Sequence, residues 1–238
     1  SYAAGFRTPT LSELYATDIA KKNDRLTIGN LDLKPEKNNY FSLSAEYVHE
    51  RFSVSVNAFY NNIRDMIDYN TIATGDKAME QYGHKEVRQR DNIAEAKVHG
   101  INVSANAYLG AGFNLSGGYT HLNTQDVELE QPIDKSIKNA YNINAQWAHS
   151  WKIYRLNINL NGRINSKRFS KSYGYAPEYQ LWDLNTRHSF NLKSVIIEPG
   201  CGMENLFDYM DDRPYNSNYA TLTPGRSFYI SLSLKFKS

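Results

Sequence analysis

Cysteine and long apolar runs are the two features that the sequence most clearly lacks. The only cysteine among the 238 residues is Cys201, which excludes an intramolecular disulfide and most cysteine-based metal sites. No apolar stretch approaches the ~20 residues that a membrane-spanning helix needs. The formal net charge of +2 is too small to favour a polyanionic partner, and no basic cluster is interleaved with aromatic residues, so nucleic acid is not predicted as a partner.

The sequence instead contains long stretches in which apolar and polar residues alternate. Residues 152–166 show this best, because one parity is apolar, with Tyr154, Leu156 and Ile158, and the other parity is polar. Successive side chains of a strand point to opposite faces, so the alternation predicts a strand with one apolar and one polar face. The polar face consists of Arg155, Asn157, Asn159, Asn161 and Arg163.

The same alternation predicts about ten strands along the chain. They lie near residues 2–9, 39–49, 51–66, 93–109, 113–123, 139–149, 152–165, 178–190, 194–206 and 226–236. These strands are longer than the ~5–6 residues of ordinary sheets, and a tilted strand of ~10 residues is long enough to cross a bilayer. The negative mean hydropathy of −0.61 is compatible with this interpretation, since a membrane strand needs only every second residue to be apolar.

The junctions between the predicted strands alternate strictly between short and long. The short ones are 49–51, 110–112, 150–151 and 191–193, and the long ones are 10–38, 67–92, 124–138, 166–177 and 207–225. Such sorting is typical of outer-membrane barrels, which place short turns at one rim and long loops at the other. We therefore predict an all-β, antiparallel transmembrane barrel portion whose Asn/Arg faces line the lumen and whose apolar faces meet lipid. A soluble β-sandwich is the alternative fold.

Eight of the 18 tyrosines lie in the predicted loops, where they would offer flat contact area and a hydroxyl group at low entropic cost. The competing interpretation is that these tyrosines simply face solvent or the membrane interface. His84 could serve as a metal ligand with Met79, but the spacing of the histidines matches no metal motif, and no cofactor or metal is predicted. The candidate ligand-binding residues are Tyr15, Tyr69, Tyr82, His84, Tyr173, Tyr175, Tyr209, Tyr215 and Tyr219.

No catalytic constellation can be assembled from the sequence. Ser189 and His188 are adjacent, so a strand would place them on opposite faces, and no glycine-rich phosphate loop is present. The chain is therefore predicted not to be an enzyme. The first long junction contains a different local signal, because Thr10 and Glu13 have the capping-box spacing and predict a short helical turn over residues 11–16.

Three stretches resemble the TonB-dependent outer-membrane receptors. "GFRTPTLSELYA" (residues 5–16), followed by "GNLDLKPEKNNYFSLSAEY" (29–47), is similar to the paired boxes of that family. "MENLFDYMDDRPY" (203–215), leading into "GRSFYISLSLKF" (225–236), is similar to its closing strands. Two departures are Leu31, where the family usually has proline, and the two residues after Phe236, where the family usually ends on its aromatic residue.

The resemblance implies that residues 1–238 are the C-terminal segment of a plugged, 22-stranded barrel, with the plug and the N-terminal strands absent from this sequence. It also implies location in the bacterial outer membrane, among its lipids, and TonB-energised import of a large scarce solute. An iron-siderophore, haem, cobalamin or a similar nutrient would fit. The TonB complex would act through the absent plug. A passive porin-like channel and a soluble or surface-displayed β-sheet binding module are the alternative functions.

Overall fold

The structure is a computed structural model of the chain and describes residues 1–170, 174–211 and 223–237. Its strands are β1 (Tyr2–Arg7), β2 (Thr17–Ala20), β3 (Arg25–Ile28), β4 (Glu36–Val48), β5 (Phe52–Thr74), β6 (Glu86–Gly110), β7 (Phe113–Asp126), β8 (Asn139–Trp151), β9 (Tyr154–Asn165), β10 (Arg168–Ser170), β11 (Gly174–Ala176), β12 (Tyr179–Asn191), β13 (Val195–Glu204) and β14 (Ser227–Phe236). Its helices are α1 (Leu11–Tyr15) and α2 (Gly75–Tyr82). Within the described ranges, no helix has the length and apolar character that crossing a membrane requires.

Ten of the strands follow one another as hydrogen-bonded neighbours, in the order β1, β4, β5, β6, β7, β8, β9, β12, β13, β14. Strand β9, for example, pairs antiparallel with β8 and with β12 over the whole of its length. These ten strands correspond one to one with the predicted segments. The prediction of an all-β, antiparallel sheet is therefore confirmed.

The connections between these strands also alternate as predicted. Short turns of two or three residues join β4 to β5, β6 to β7, β8 to β9 and β12 to β13. The other junctions are longer, and two of them contain antiparallel strand pairs that the alternation did not predict, β2 with β3 and β10 with β11. Helix α1 confirms the predicted helical turn, since Thr10 and Glu13 form both hydrogen bonds of a capping box.

The predicted long loop over residues 67–92 is wrong in extent. Strand β5 continues to Thr74 and β6 begins at Glu86, so only α2 and a short turn separate them. Asp65, inside β5, has a positive φ of 55°, which departs from extended strand geometry, and the period-2 pattern on which the prediction was based holds only in an extended strand. Helix α2 ends at Gly83, which adopts the left-handed conformation and donates its N–H to the carbonyl of Met79 at 3.0 Å.

The chain divides into two compact units. The first unit contains Ser1–Ser42, Phe59–His99 and Thr124–Ile133, and thus the first long junction and α2. Its small apolar core consists of Leu33, Ile67, Ala78, Val87 and Ala96. Val87 is completely buried where β3 pairs in parallel with the start of β6. This core fixes the loop elements in place, so the first unit is a folded block.

The second unit contains Leu43–Ala58, Gly100–Asn123 and the described residues from Asp134 onward. Among those residues, only Ala176 and Leu181 are buried apolar side chains. Large apolar side chains remain exposed even on inner strands, as at Tyr141 (42%), Ile143 (36%) and Phe190 (37%). An apolar face of this extent needs a covering that the described protein does not provide.

Candidate functional site

An ion cluster fixes the start of the first long junction. The guanidinium of Arg7 donates to both carboxylate oxygens of Glu36, with Nε to Oε2 at 2.8 Å and Nη2 to Oε1 at 2.6 Å, while Nη1 lies 2.9 Å from Oε2 of Glu13. The hydrogen bond from Arg7 is the main cause that lowers the pKa of Glu13 to about 2, and bonds from the Thr10 backbone and side chain add to it. Glu13 is therefore ionised at neutral pH, where it joins β1 to α1.

Helix α1 is in turn bonded to the residues that follow β3. The N–H of Gly29 donates to the carbonyl of Ala16 at 2.8 Å, and that of Asn30 donates to the carbonyl of Glu13 at 3.0 Å. The backbones approach so closely that a Cβ at Gly29 would lie 2.5 Å from the carbonyl oxygen of Leu14. Glycine is therefore required here by the close approach of the backbone. The block formed by α1, β2 and β3 is consequently held as one piece.

The same block is attached to the start of β6. Strand β3 pairs in parallel with β6, with Arg25 opposite Glu86. Nδ1 of His84 lies 2.9 Å from Oδ1 of Asp24, and this contact is the main cause that lowers the pKa of Asp24. The N–H of Lys85 donates to the carbonyl of Asp24 at 3.0 Å. These contacts fix the β2–β3 hairpin above the first residues of β6.

A cavity of about 190 Å³ opens between this hairpin, α1 and the facing parts of β5 and β6. Three guanidinium groups line it, and the other polar side chains include one carboxylate and several hydroxyl groups. The charged residues are Asp18, Arg25, Arg88 and Arg90. We call this space the arginine cavity.

The three arginines differ in the partners that their guanidinium groups contact. Arg88 donates from Nε to Oε1 of Glu86 at 2.5 Å. Arg90 lies over the ring of Tyr69, with its Cζ 3.6 Å from the centroid, and donates from Nη2 to the Tyr69 hydroxyl at 2.5 Å. Nε of Arg25 is buried and has no hydrogen-bond partner among the described residues. The cavity therefore contains cationic donors without a matching set of carboxylates.

The predicted ligand residues are distributed over several elements. Tyr69 was predicted at a loop tip but lies in β5, and among the described members of the predicted set it alone lines the arginine cavity. Tyr15 ends α1 and is 67% exposed, Tyr82 ends α2, and His84 is engaged by Asp24. Four of the six described candidates thus lie in the first unit.

The remaining candidates belong to the second unit or lie beyond the described residues. Tyr175 lies in β11 and packs edge-on against Phe169, with ring centroids 5.3 Å apart. Tyr209 stacks on Tyr179 at 5.7 Å, and the side chain of Asn205 bonds its backbone N–H and carbonyl groups. Tyr173, Tyr215 and Tyr219 lie outside the part of the chain that the structure describes.

The polar row predicted on β9 forms one face of the sheet. In register with it lie the polar residues of β8 and β12, so that Asn161 is flanked by Asn144 and Asp183, and Asn159 by Gln146 and Asn185. The side-chain amide of Asn144 donates to Asn159 at 2.7 Å and to Asn161 at 2.6 Å. Asn157 lies opposite Arg187, while Arg155 and Arg163 lie towards the two ends of the strand. The row is thus a hydrogen-bonded polar surface.

The arginines of the cavity were missed in the sequence because they are far apart along the chain. The parallel pairing of β3 with β6 brings Arg25 to a position near Arg88 and Arg90, more than 60 residues later. One local signal was available, since "VRQR" (residues 87–90) places two arginines on the same face of a strand. Arg25 itself, in a four-residue strand, has no such signal.

Comparison with known proteins gives a consistent result. The sequence model of a family described as "TonB dependent receptor-like, beta-barrel" matches residues 1–206. A ferric enterobactin receptor mutant from Pseudomonas aeruginosa is similar in structure, with 20% identity and a TM-score of 0.73 over 99% of this chain and 37% of that one.

Two further solved structures have the same relationship. The ferric preacinetobactin receptor BauA from Acinetobacter baumannii is 16% identical, with a TM-score of 0.68 over 99% of this chain and 33% of its own. The copper transporter OprC is 14% identical, with a TM-score of 0.71 over 99% of this chain and 37% of its own. The present chain therefore spans little more than a third of the length of these structures.

Proposed function

The chain belongs to the TonB-dependent receptor-like β-barrel family, and we propose that it forms part of the wall and binding loops of an outer-membrane receptor. In this proposal the receptor captures a large, scarce solute and imports it at the expense of energy delivered by TonB. The solute class that we propose is a metal chelate, with a ferric siderophore as the first candidate. This choice is supported by solved structures of similar fold that are named as a ferric enterobactin receptor, a ferric preacinetobactin receptor and a copper transporter.

The observation that carries the proposal is the difference in polarity between the two faces of the sheet in the second unit. One face is apolar and exposed, as at Tyr141 and Ile143, and we assign it to the lipid of the outer membrane. The opposite face carries the amide row that includes Asn144, Asn159 and Asn161, and we assign it to the lumen. A lumen lined by amides can bond a plug or a passing polar solute without holding either permanently.

The first unit contributes a folded binding element. Its junctions contain α1, the β2–β3 hairpin and α2, and they are attached to β5 and β6, which have 23 and 25 residues respectively. Binding residues on a scaffold of this kind are positioned before the solute arrives, so less ordering entropy is lost on binding. We propose that Tyr15, Tyr69, Tyr82 and His84 face the solute from this element. TonB acts through a plug, and nucleic acid has no role.

Uptake by a deletion strain tests the proposal. The gene is deleted and the strain is supplied with ⁵⁵Fe bound to a panel of siderophores, under iron limitation. We expect uptake of at least one chelate to fall and to return when the full-length gene is supplied on a plasmid. We also expect uptake to be lost when TonB is removed.

Two results would contradict the proposal. Uptake that continues without TonB would indicate a passive channel. A gene product that fractionates away from the outer membrane and stays monomeric in plain buffer would indicate a soluble binding module. In the proposed case, the protein requires detergent and migrates differently before and after heating in SDS.

A further inference from the structure

We propose that the arginine cavity is a binding subsite for an oxyanion, either a carboxylate or a phosphate group carried by a dissolved solute. The proposal rests on the proposed function in one respect, because it treats the solute as a ligand of a receptor. The cavity belongs entirely to the first unit, and its residues come from β2, β3, β5, β6 and the segment of α1.

The donors of the cavity are suited to this chemistry. A guanidinium is planar and always charged, and its N–H groups match the two oxygens of a carboxylate or phosphate. Nε of Arg25 is buried without a partner, although a buried donor that lacks a hydrogen bond is costly. An oxyanion in the cavity would meet the terminal N–H groups of the Arg25 guanidinium, because Nε itself has no accessible surface. Arg90 is held in place by the Tyr69 ring and hydroxyl, so its remaining N–H groups are positioned in advance.

The local charge also favours an anion. Among the described residues, neither Arg25 nor Arg90 forms a salt bridge, and the acid paired with Arg88 is Glu86. Among the described residues that line the cavity, the single carboxylate is that of Asp18, which is exposed. Counting the Glu86 carboxylate that pairs with Arg88, two carboxylates accompany three guanidinium groups, so a net positive field remains and is strengthened by partial exclusion of water.

The size of the cavity limits what it can hold. Its volume of about 190 Å³ is below the ~300–1,000 Å³ of pockets that enclose a whole drug-sized ligand. It therefore suits one charged group of a larger molecule. The rest of such a molecule would extend towards the exposed side, where Tyr69 is 41% exposed.

Phosphate binding by the purified full-length receptor tests the subsite. The ³¹P linewidth of inorganic phosphate is followed as receptor in detergent is added, and citrate is used as a competing carboxylate. We expect broadening that citrate reverses. We expect Arg25→Gln and Arg90→Gln each to weaken phosphate affinity about tenfold, the size expected for a charged hydrogen bond.

Two further variants separate binding from misfolding and from general charge. Lys22→Gln removes one exposed cation from the adjacent β2–β3 turn, outside the cavity, and should leave phosphate affinity unchanged within about twofold, as expected for a screened surface charge. Asp18→Asn removes the carboxylate of the cavity and should strengthen phosphate binding, a gain that a misfolded protein cannot produce. An absence of broadening, or an equal loss in Lys22→Gln and Arg25→Gln, would overturn the proposal.

A second experiment, in lipid vesicles, distinguishes a dissolved anion from a lipid headgroup as the ligand of the cavity. The titration is repeated with the receptor in phosphatidylcholine vesicles and in vesicles that contain phosphatidylglycerol. We expect the same phosphate affinity in both, whereas loss of phosphate binding in the anionic vesicles would assign the cavity to a headgroup and overturn the proposal. Uptake is measured separately, so phosphate binding without any transport defect would refute the proposed function and leave the subsite intact.

Discussion

The close approach at Gly29 gives a prediction whose size can be worked out from the structure. A methyl group at this position would lie 2.5 Å from the carbonyl oxygen and 2.6 Å from the carbonyl carbon of Leu14. Both contacts are to backbone, which cannot rotate away as a side chain can. Gly29→Ala therefore has to push α1 away from the end of β3 by roughly 1 Å, since atoms in contact need about 3.5 Å.

That displacement affects two hydrogen bonds. They run from the N–H of Gly29 to Ala16, at 2.8 Å, and from the N–H of Asn30 to Glu13, at 3.0 Å. Each such bond contributes about 0.5–1.5 kcal/mol, and overpacking alone costs about 1–3 kcal/mol. We expect the free energy of local opening of this block to fall by about 2 kcal/mol. Amide hydrogen exchange at residue 30 should then be about 30-fold faster.

The assay is hydrogen exchange with mass spectrometry on the full-length receptor in detergent. Gly5→Ala is the matched control, because it lies in the same unit and its added Cβ meets nothing within 4 Å. Peptides that cover residues 11–16 and 29–33 should exchange faster in Gly29→Ala alone. Equal exchange in wild type, Gly5→Ala and Gly29→Ala would refute the packing of α1 against the β2–β3 hairpin.

Three other predictions follow from local geometry. Thr10→Ala removes the acceptor of the capping box and should cost α1 about 1 kcal/mol, whereas Thr10→Ser should restore protection in the same exchange assay. The pKa of Glu13 is lowered from 4.5 to about 2, so its contact with Arg7 stabilises the block fully above pH ~4.5 and is lost as the pH falls towards 2. The protection of α1, taken as its exchange rate relative to that of an unfolded peptide at the same pH, should fall over this interval, and unchanged protection would contradict the assignment. Gly162→Ala would place a Cβ 2.5 Å from the Trp182 ring and should lower the temperature at which the protein loses its folded mobility in SDS gels by several degrees; an unchanged temperature would count against this contact.

The strands of the sheet could be predicted because their pattern is simple. A strand with one apolar face and one polar face must alternate, and β9 does so from Tyr154 to Ile164. The prediction failed in the part of β5 where apolar and polar residues no longer alternate regularly. From Phe59 onward, strand β5 belongs to the first unit, and the positive φ of Asp65 departs there from extended strand geometry.

The candidate site was less accessible from the sequence for a related reason. Tyr69 was chosen for its chemistry and lies in the arginine cavity, yet its partners there come from distant segments. A four-residue strand such as β3 carries too few residues to show a period. It pairs in parallel with β6, a contact between distant segments of the chain, at the place where Val87 is buried. The local sequence pattern therefore predicts the long strands of the sheet, whereas the block formed by α1, β2 and β3 depends on packing between separate segments.

The central claim is that the apolar face of the sheet meets lipid and the amide face meets water. Spin labels report this directly when they are attached at Ile158→Cys and Asn159→Cys in a Cys201→Ser background, with the full-length receptor in vesicles. We predict that the label at 158 collides readily with dissolved oxygen and the label at 159 with a water-soluble nickel chelate. A label at 158 that is accessible to the nickel chelate, or shielded from both reagents inside protein, would contradict the account.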